Sequence, residues 1–168
     1  MTVSPDDPSV LQGPLINERQ RSRVEGYVSA GVAAGARITT GGGRPAHLPL
    51  GWYHEPTLLA DVDNSMAVAR EEIFGPVLVA IPYDDVDDAV RIANDSIFGL
   101  SGAVVGSDHE RATAVGRRIR TGTMSINGGV WYGPDMPFGG FKQSGVGREM
   151  GLAGFEEYLE PMSFARGT

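Results

Sequence analysis

The stretch Glu71-Glu72-Ile73-Phe74-Gly75-Pro76-Val77 places two carboxylates and an aromatic ring just before an apolar run, Val77 to Ile81. The length of that run predicts a β-strand. Because Pro76 restricts the residue before it to extended geometry, the chain is expected to turn there and to present Glu72 and Phe74 on a loop at the edge of a sheet. A carboxylate accepts hydrogen bonds from vicinal sugar hydroxyls, and an aromatic ring can lie against a flat heterocycle. The stretch therefore fits a cofactor contact.

A purely structural interpretation of the same stretch stays open. Two adjacent carboxylates can stabilise the N-terminus of a helix, and a phenylalanine can belong to the core. Composition alone favours this interpretation over the cofactor contact.

The composition is that of a globular protein and argues against two classes of partner. The 168 residues are 41% hydrophobic and 21% charged, and 24 glycines and 11 prolines indicate many tight turns. A formal net charge of -7 disfavours nucleic acid and anionic membranes, which need a basic face. Residues 1–8 lack a leader pattern, and no later run has the ~18 apolar residues of a membrane helix. The expected location is the cytoplasm.

Periodicity and turn signals predict an α/β fold. Helices are expected over residues 16–34, 86–93, 108–120 and 148–158, with a helical turn over 65–70. Strands are expected over 36–40, 53–59 and 77–81, within 98–105, and from Gly122 to Asn127. The succession of strand, helix, strand, helix and strand after Pro76 is typical of a parallel sheet. Residues 1–14 are expected to form an extended lead-in.

A second long motif lies near the C-terminus, Pro137-Phe138-Gly139-Gly140-Phe141-Lys142-Gln143-Ser144-Gly145-Val146-Gly147-Arg148-Glu149. It resembles the PFGG(F/Y)KxSGxGRE motif of the NAD(P)-dependent aldehyde dehydrogenase superfamily, and the stretch at residues 71–76 resembles that family's EExFGP signature. The resemblance runs from about Gln12 to Pro161 and corresponds to the C-terminal third of a full-length enzyme. It implies a parallel-sheet, three-layer α/β catalytic-domain fragment over residues 15–158, and a truncated oligomerisation strand or tail over residues 159–168.

The resemblance also implies roles for individual residues. Glu72 matches the glutamate that holds the nicotinamide-side ribose, and Phe74 matches the aromatic residue beside the nicotinamide, so the implied cofactor is NAD or NADP. Glu149 matches a glutamate implicated in a proton relay. Four further positions match the family's substrate wall and its subunit interface: Asn127 and Phe138 for the wall, Arg148 and Glu160 for the interface. Without the resemblance, an arginine followed by a glutamate at a helix start indicates an ion pair or a cap.

The chain contains no cysteine. The family's reaction runs through a thiohemiacetal on a cysteine that lies upstream of the matching segment, as do its general base, its Rossmann-type cofactor half and its oxyanion asparagine. We therefore expect this chain to be inactive alone. Its expected partners are an N-terminal aldehyde dehydrogenase polypeptide or further copies of itself.

Other kinds of site have little support in the sequence. The three histidines, His47, His54 and His109, lack paired metal-ligand spacing, so no metal site is expected. The run Gly41–Gly43 lacks the lysine and hydroxyl residue of a phosphate loop, and Ser144 is not in a G-x-S-x-G elbow.

Two alternatives to the leading interpretation remain. One is a non-catalytic remnant that acts as a protein-interaction or oligomerisation module. The other is a self-sufficient enzyme of a new type that uses Glu72 or Glu149 as an acid or base. The missing cysteine separates this last alternative from the aldehyde dehydrogenase mechanism.

Overall fold

The protein is an α/β fold, seen in a computed structural model that describes residues 12–129 and 132–167. The chain divides into two compact units, with the boundary between Pro82 and Tyr83. The first unit contains α1 (Glu18–Ala33), β1 (Arg37–Thr40), β2 (Thr57–Ala60), α2 (Ala67–Arg70) and β3 (Val77–Val79). The second contains α3 (Val86–Asn94), β4 (Ser101–Val104), α4 (His109–Gly116), β5 (Thr123–Ile126), a 3₁₀ turn (Lys142–Ser144) and α5 (Gly151–Glu156). The predicted fold class is confirmed.

Each unit has its own small sheet in the described residues. In the first, the strand order is β1-β2-β3, with β2 and β3 parallel and β1 antiparallel to β2. In the second, β4 and β5 pair in parallel. Helices α2 and α4 lie in the crossovers between the parallel strands, as parallel pairing requires. No helix lies between β1 and β2, so the chain returns in the opposite direction.

The core of the first unit lies between α1, β2 and the loop that follows α2. Val24 and Val28 of α1 pack with Leu59 of β2 and with Val68 and Ile73. Fully burying an aliphatic side chain of this size stabilises a fold by roughly 1.5–3 kcal/mol. This packing holds the 71–77 loop against the helix.

The ends of α1 are where local signals predict them. The Asn17 side chain accepts a hydrogen bond from the backbone N–H of Gln20 at 2.9 Å, which caps the helix. Gly35 has φ 108°, a left-handed conformation that suits glycine after a helix end. The caps Asp85 and Asp108 act in the same way on α3 and α4.

Several predicted elements are shorter in the structure. The strand expected over residues 53–59 begins only at Thr57, because Pro56 has no N–H to donate. The strand expected over 77–81 ends at Val79, whereas the strand expected within 98–105 is present as Ser101–Val104. The helix expected over 148–158 begins at Gly151, because Glu149 pairs with another loop through its backbone.

The lead-in and the tail differ in how much of them is described. Residues 1–11 lie outside the described residues, but Gln12 donates from Nε2 to the His54 carbonyl at 3.2 Å. Residues 159–167 form no strand. Within the described ranges, no helix is long and apolar enough to cross a membrane.

Candidate functional site

The loop after α2 exposes two side chains, those of Glu72 and Phe74, to solvent. Glu71 accepts a hydrogen bond at Oε2 from the Tyr27 hydroxyl at 2.7 Å. Glu72 is exposed, and its carboxylate has no hydrogen-bond partner in the part of the chain that the structure describes. Ile73 is buried in the core, while Phe74 is 74% exposed. An acceptor and an aromatic ring are therefore both exposed on an anchored loop.

The backbone of this loop is held in a strained conformation. Phe74 has φ 57°, in the left-handed region that costs a non-glycine residue roughly 1–2 kcal/mol. The Gln20 side chain donates from Nε2 to the carbonyls of Ile73 at 3.1 Å and Phe74 at 2.8 Å. Arg23 donates from Nη2 to the Glu72 carbonyl at 2.7 Å. Strain of this kind persists where surrounding contacts impose it, and it is frequent at ligand sites.

The second unit brings together two of the other predicted residues. Phe138 and Glu149 form an isolated antiparallel bridge in which each backbone N–H donates to the other's carbonyl at 2.7 Å. The Phe138 ring meets the Tyr132 ring edge-on, with centroids 5.5 Å apart. The Glu149 carboxylate is exposed. The loop bridge therefore fixes the backbone of Glu149, where the sequence predicted a helix start.

Asn127 follows β5 at the carboxyl end of the parallel pair. Its Oδ1 accepts a hydrogen bond from the Gly106 N–H at 2.8 Å, and its own N–H donates to the Val104 carbonyl at 2.9 Å. Its φ of 53° is one that asparagine tolerates better than most residues. Part of its amide group thus joins the ends of β4 and β5.

Arg148 contacts its own loop. Nη1 donates to the carbonyls of Gly147 at 2.7 Å and Gly140 at 3.2 Å, and the guanidinium lies 5.2 Å from the centroid of the Phe141 ring. Glu160 is exposed and forms no ion pair with Arg148 in the described ranges. Their pairing at a subunit interface stays a prediction.

The sequence did not predict the structural contacts of Lys142, which lies within the second motif. Its Nζ donates to the carbonyls of Asn94 at 2.8 Å and Ser96 at 2.9 Å, at the C-terminal end of α3. Ser144 accepts a hydrogen bond at Oγ from the Gly99 N–H at 2.9 Å, which agrees with its interpretation as an ordinary loop serine. These contacts fasten the motif to α3, and the spacing of the motif gives no sign of a partner more than 40 residues away.

A partly exposed ion pair in the first unit was also missed. Arg44 donates to the Glu25 carboxylate from Nε at 2.6 Å and from Nη2 at 3.0 Å. This hydrogen bonding lowers the pKa of Glu25, although burial opposes the shift. The pair ties the 41–56 loop to α1.

The predicted site residues thus divide between the two units. Glu72 and Phe74 belong to the first, and the wall, relay and interface residues belong to the second. Among the described residues, no group of three or more histidine, aspartate or glutamate side chains could hold a metal ion.

Comparison with known proteins identifies the family. A family model described as the aldehyde dehydrogenase family matches residues 1–164. The chain belongs to the aldehyde dehydrogenase family. A relative from Staphylococcus saprophyticus, provisionally named as an aldehyde dehydrogenase, is 46% identical over 163 residues, which are 96% of this chain and 34% of the relative. The chain therefore spans about a third of the length of the curated relatives that it matches.

Solved aldehyde dehydrogenases have the same fold over this segment. The Mycobacterium tuberculosis aldehyde dehydrogenase complexed with NAD+ is 49% identical, with a TM-score of 0.88 over 98% of this chain and 35% of that one. A mutant of aldehyde dehydrogenase C from Pseudomonas syringae, complexed with NAD+ and octanal, is 48% identical with a TM-score of 0.90, covering 95% of this chain and 33% of that one. The resemblance inferred from the two motifs is confirmed.

Proposed function

We propose that this chain serves as the C-terminal part of an NAD(P)-dependent aldehyde dehydrogenase, an oxidoreductase that converts aldehydes to carboxylates. In this proposal Glu72 binds the nicotinamide-side ribose of NAD or NADP, and Phe74 contacts the nicotinamide. The chain acts in the cytoplasm, together with an N-terminal aldehyde dehydrogenase polypeptide or as a homo-oligomer.

The observation that carries the proposal is the difference between neighbouring residues in the 71–74 loop. The Glu71 carboxylate is occupied by Tyr27, whereas the Glu72 carboxylate is exposed and unpartnered in the described ranges. A carboxylate has acceptor capacity for both hydroxyls of a ribose. The exposed ring of Phe74, two residues further along the loop, offers a flat apolar surface. These residues fit the ribose and nicotinamide of the cofactor, and both solved relatives described above hold NAD+.

The chain's own residues would contribute binding and orientation. When bound, the nicotinamide supplies a hydride acceptor for the aldehyde carbon. Glu72 would fix the ribose through charge-assisted hydrogen bonds, and Phe74 would limit the movement of the ring. Neither residue would be chemically changed. Because both would contact the cofactor, their substitution should affect the use of the cofactor rather than the binding of the aldehyde.

The second unit would supply the other surfaces. Phe138 and Asn127 are proposed for the substrate wall, and Glu149 for a proton relay with its backbone held by the bridge to Phe138. Arg148 and Glu160 are proposed for the subunit interface. A broad set of apolar side chains near the C-terminus is exposed and suits such an interface: Leu152, Phe155, Tyr158, Leu159, Met162 and Phe164.

The same exposed surface also favours a second candidate, a non-catalytic module that only binds a protein partner. The two candidates differ in whether the chain can complete an active enzyme. We would join this chain to the first two thirds of the Mycobacterium tuberculosis relative and measure aldehyde-dependent NAD+ reduction. The proposal predicts activity in this chimera and none in either part alone. A chimera that unfolds cooperatively but is inactive would favour the binding module.

A further inference from the structure

One face of α1 follows the 71–74 loop residue by residue. Gln20, Arg23 and Tyr27 are spaced three and four apart, so they lie on the same side of the helix. Tyr27 donates to the side chain of Glu71, and Arg23 donates from Nη2 to the carbonyl of the next residue. Gln20 donates to the two carbonyls after that, the first of which also accepts a longer hydrogen bond, 3.4 Å, from Nε of Arg23. The contacts run in order along both segments.

Gln20 acts on the strained part of the loop. The Ile73 carbonyl belongs to the peptide plane before Phe74, and the Phe74 carbonyl belongs to the plane after it. One side-chain amide group carries two hydrogens, so a single Gln20 can bind both planes at once. The angles φ and ψ of a residue are the rotations of these two planes. Gln20 therefore restrains both torsions of Phe74 in the left-handed region, where φ is 57°.

The position of Gln20 leaves the proposed ligand groups free. Its contacts are with main-chain oxygens, and the exposed Phe74 ring and Glu72 carboxylate take no part in them. Arg23 reinforces the arrangement, since its Nη2 also lies 3.2 Å from the Tyr27 hydroxyl. The helix thus fixes the backbone of the loop while the two side chains stay available.

We propose that Gln20 is a positioning residue: by bridging the carbonyls of Ile73 and Phe74 it sets the direction of the Phe74 ring and of Glu72 for the cofactor. This inference rests on the proposed function for its purpose, but the restraint itself is a property of this chain alone. Removing the Gln20 side-chain amide should increase the local mobility of the backbone at Phe74. It should also weaken the use of the cofactor more than the use of the aldehyde.

Spin labelling tests the restraint without any cofactor. The chain has no cysteine, so Phe74→Cys provides a single attachment point for a nitroxide, and Leu78→Cys provides a control on exposed β3. We expect Gln20→Leu to narrow the electron paramagnetic resonance spectrum at position 74 but not at 78. Gln20→Glu, which keeps the shape but places a carboxylate against the carbonyls, should do the same. Arg19→Leu, at an adjacent exposed position, should change neither spectrum.

An unchanged spectrum at position 74, or equal mobilisation at 74 and 78, would overturn the inference. In the chimera described above, Gln20→Leu should raise the KM for NAD+ several-fold, roughly the effect of losing one or two neutral hydrogen bonds, and leave the aldehyde KM unchanged. A second outcome separates the restraint from the proposed function. If Gln20→Leu mobilises the label at position 74 but neither Gln20→Leu nor Glu72→Gln changes the KM for NAD+, the result would count against the proposed function and leave the restraint intact.

Discussion

Replacing Gly75 with alanine tests how closely the 71–77 loop packs on α1. A Cβ built at Gly75 would lie 2.4 Å from Cγ2 of Val24 and 3.4 Å from its Cγ1. Val24 is fully buried, and a valine in a helix has one strongly preferred rotamer. The clash therefore has to be relieved by moving the loop or the helix.

The size of the effect follows from the type of clash. Overpacking a well-packed core costs roughly 1–3 kcal/mol, and we expect Gly75→Ala to destabilise the chain by that amount. The expected decrease in Tm is roughly 2–4 °C per kcal/mol for a chain of this length. The control is Gly26→Ala in the middle of α1, where an added Cβ meets nothing within 4 Å. Alanine there should stabilise the chain by roughly 0.5–1 kcal/mol, because glycine is a poor helix former.

Both variants can be compared with the wild-type chain by urea unfolding, followed by circular dichroism. The reasoning predicts a lower urea midpoint for Gly75→Ala and a higher midpoint for Gly26→Ala. A wild-type midpoint for Gly75→Ala, alongside a raised midpoint for Gly26→Ala, would refute the packing of the loop against Val24.

Three further predictions concern the chain alone. The purified chain should show no aldehyde-dependent NAD+ or NADP+ reduction, since it lacks a cysteine nucleophile; ordinary turnover in a preparation free of host dehydrogenases would contradict this. The lowered pKa of Glu25 should stabilise the fold above its usual pKa of 4.5, and this stabilisation should be lost as the pH falls through the lower folded-state pKa. In Arg44→Met, urea midpoints should depend less on pH below 4.5; an unchanged acid dependence would show that the pair is not formed. Exposed Leu152, Phe155 and Tyr158 should make the chain associate or pack poorly, so a sharp monomer in sedimentation with a cooperative thermal transition would argue against the proposed interface.

Local signals in the sequence were sufficient for some elements. The bounds of α1 follow from Asn17 and Gly35, because a cap and a left-handed glycine act on their immediate neighbours. Asp85 caps α3 for the same reason. The family was also predictable, since two long motifs in the right order leave little room for coincidence.

Contacts between distant segments were not predictable from the sequence. Gln20 holds carbonyls 53 and 54 positions away, and nothing in the helix pattern marks it out from other polar residues of α1. The helix expected from Arg148 onward was wrong at its start because backbone pairing between Glu149 and Phe138 overrides helical propensity. Propensity describes neighbours along the chain, whereas these contacts depend on the fold.

The roles assigned to Glu72 and Phe74 came from the resemblance and remain proposals. The structure adds a physical difference between the two adjacent glutamates, which composition could not provide. Glu71 is engaged by Tyr27, and Glu72 is available. That difference allows a matched test in which the same substitution is made at neighbouring positions.

The most direct measurement compares Glu72→Gln with Glu71→Gln in the chimera that contains the first two thirds of the Mycobacterium tuberculosis relative. A charged acceptor binds ribose hydroxyls more strongly than a neutral one by roughly 1–2 kcal/mol. Glu72→Gln should therefore reduce kcat/KM for NAD+ about tenfold or slightly more, with little change in the aldehyde KM. Glu71→Gln should leave kcat/KM for NAD+ and the aldehyde KM close to the values of the unsubstituted chimera. Equal losses from the two substitutions, or no change in cofactor use from either, would contradict the role of Glu72 in binding the cofactor.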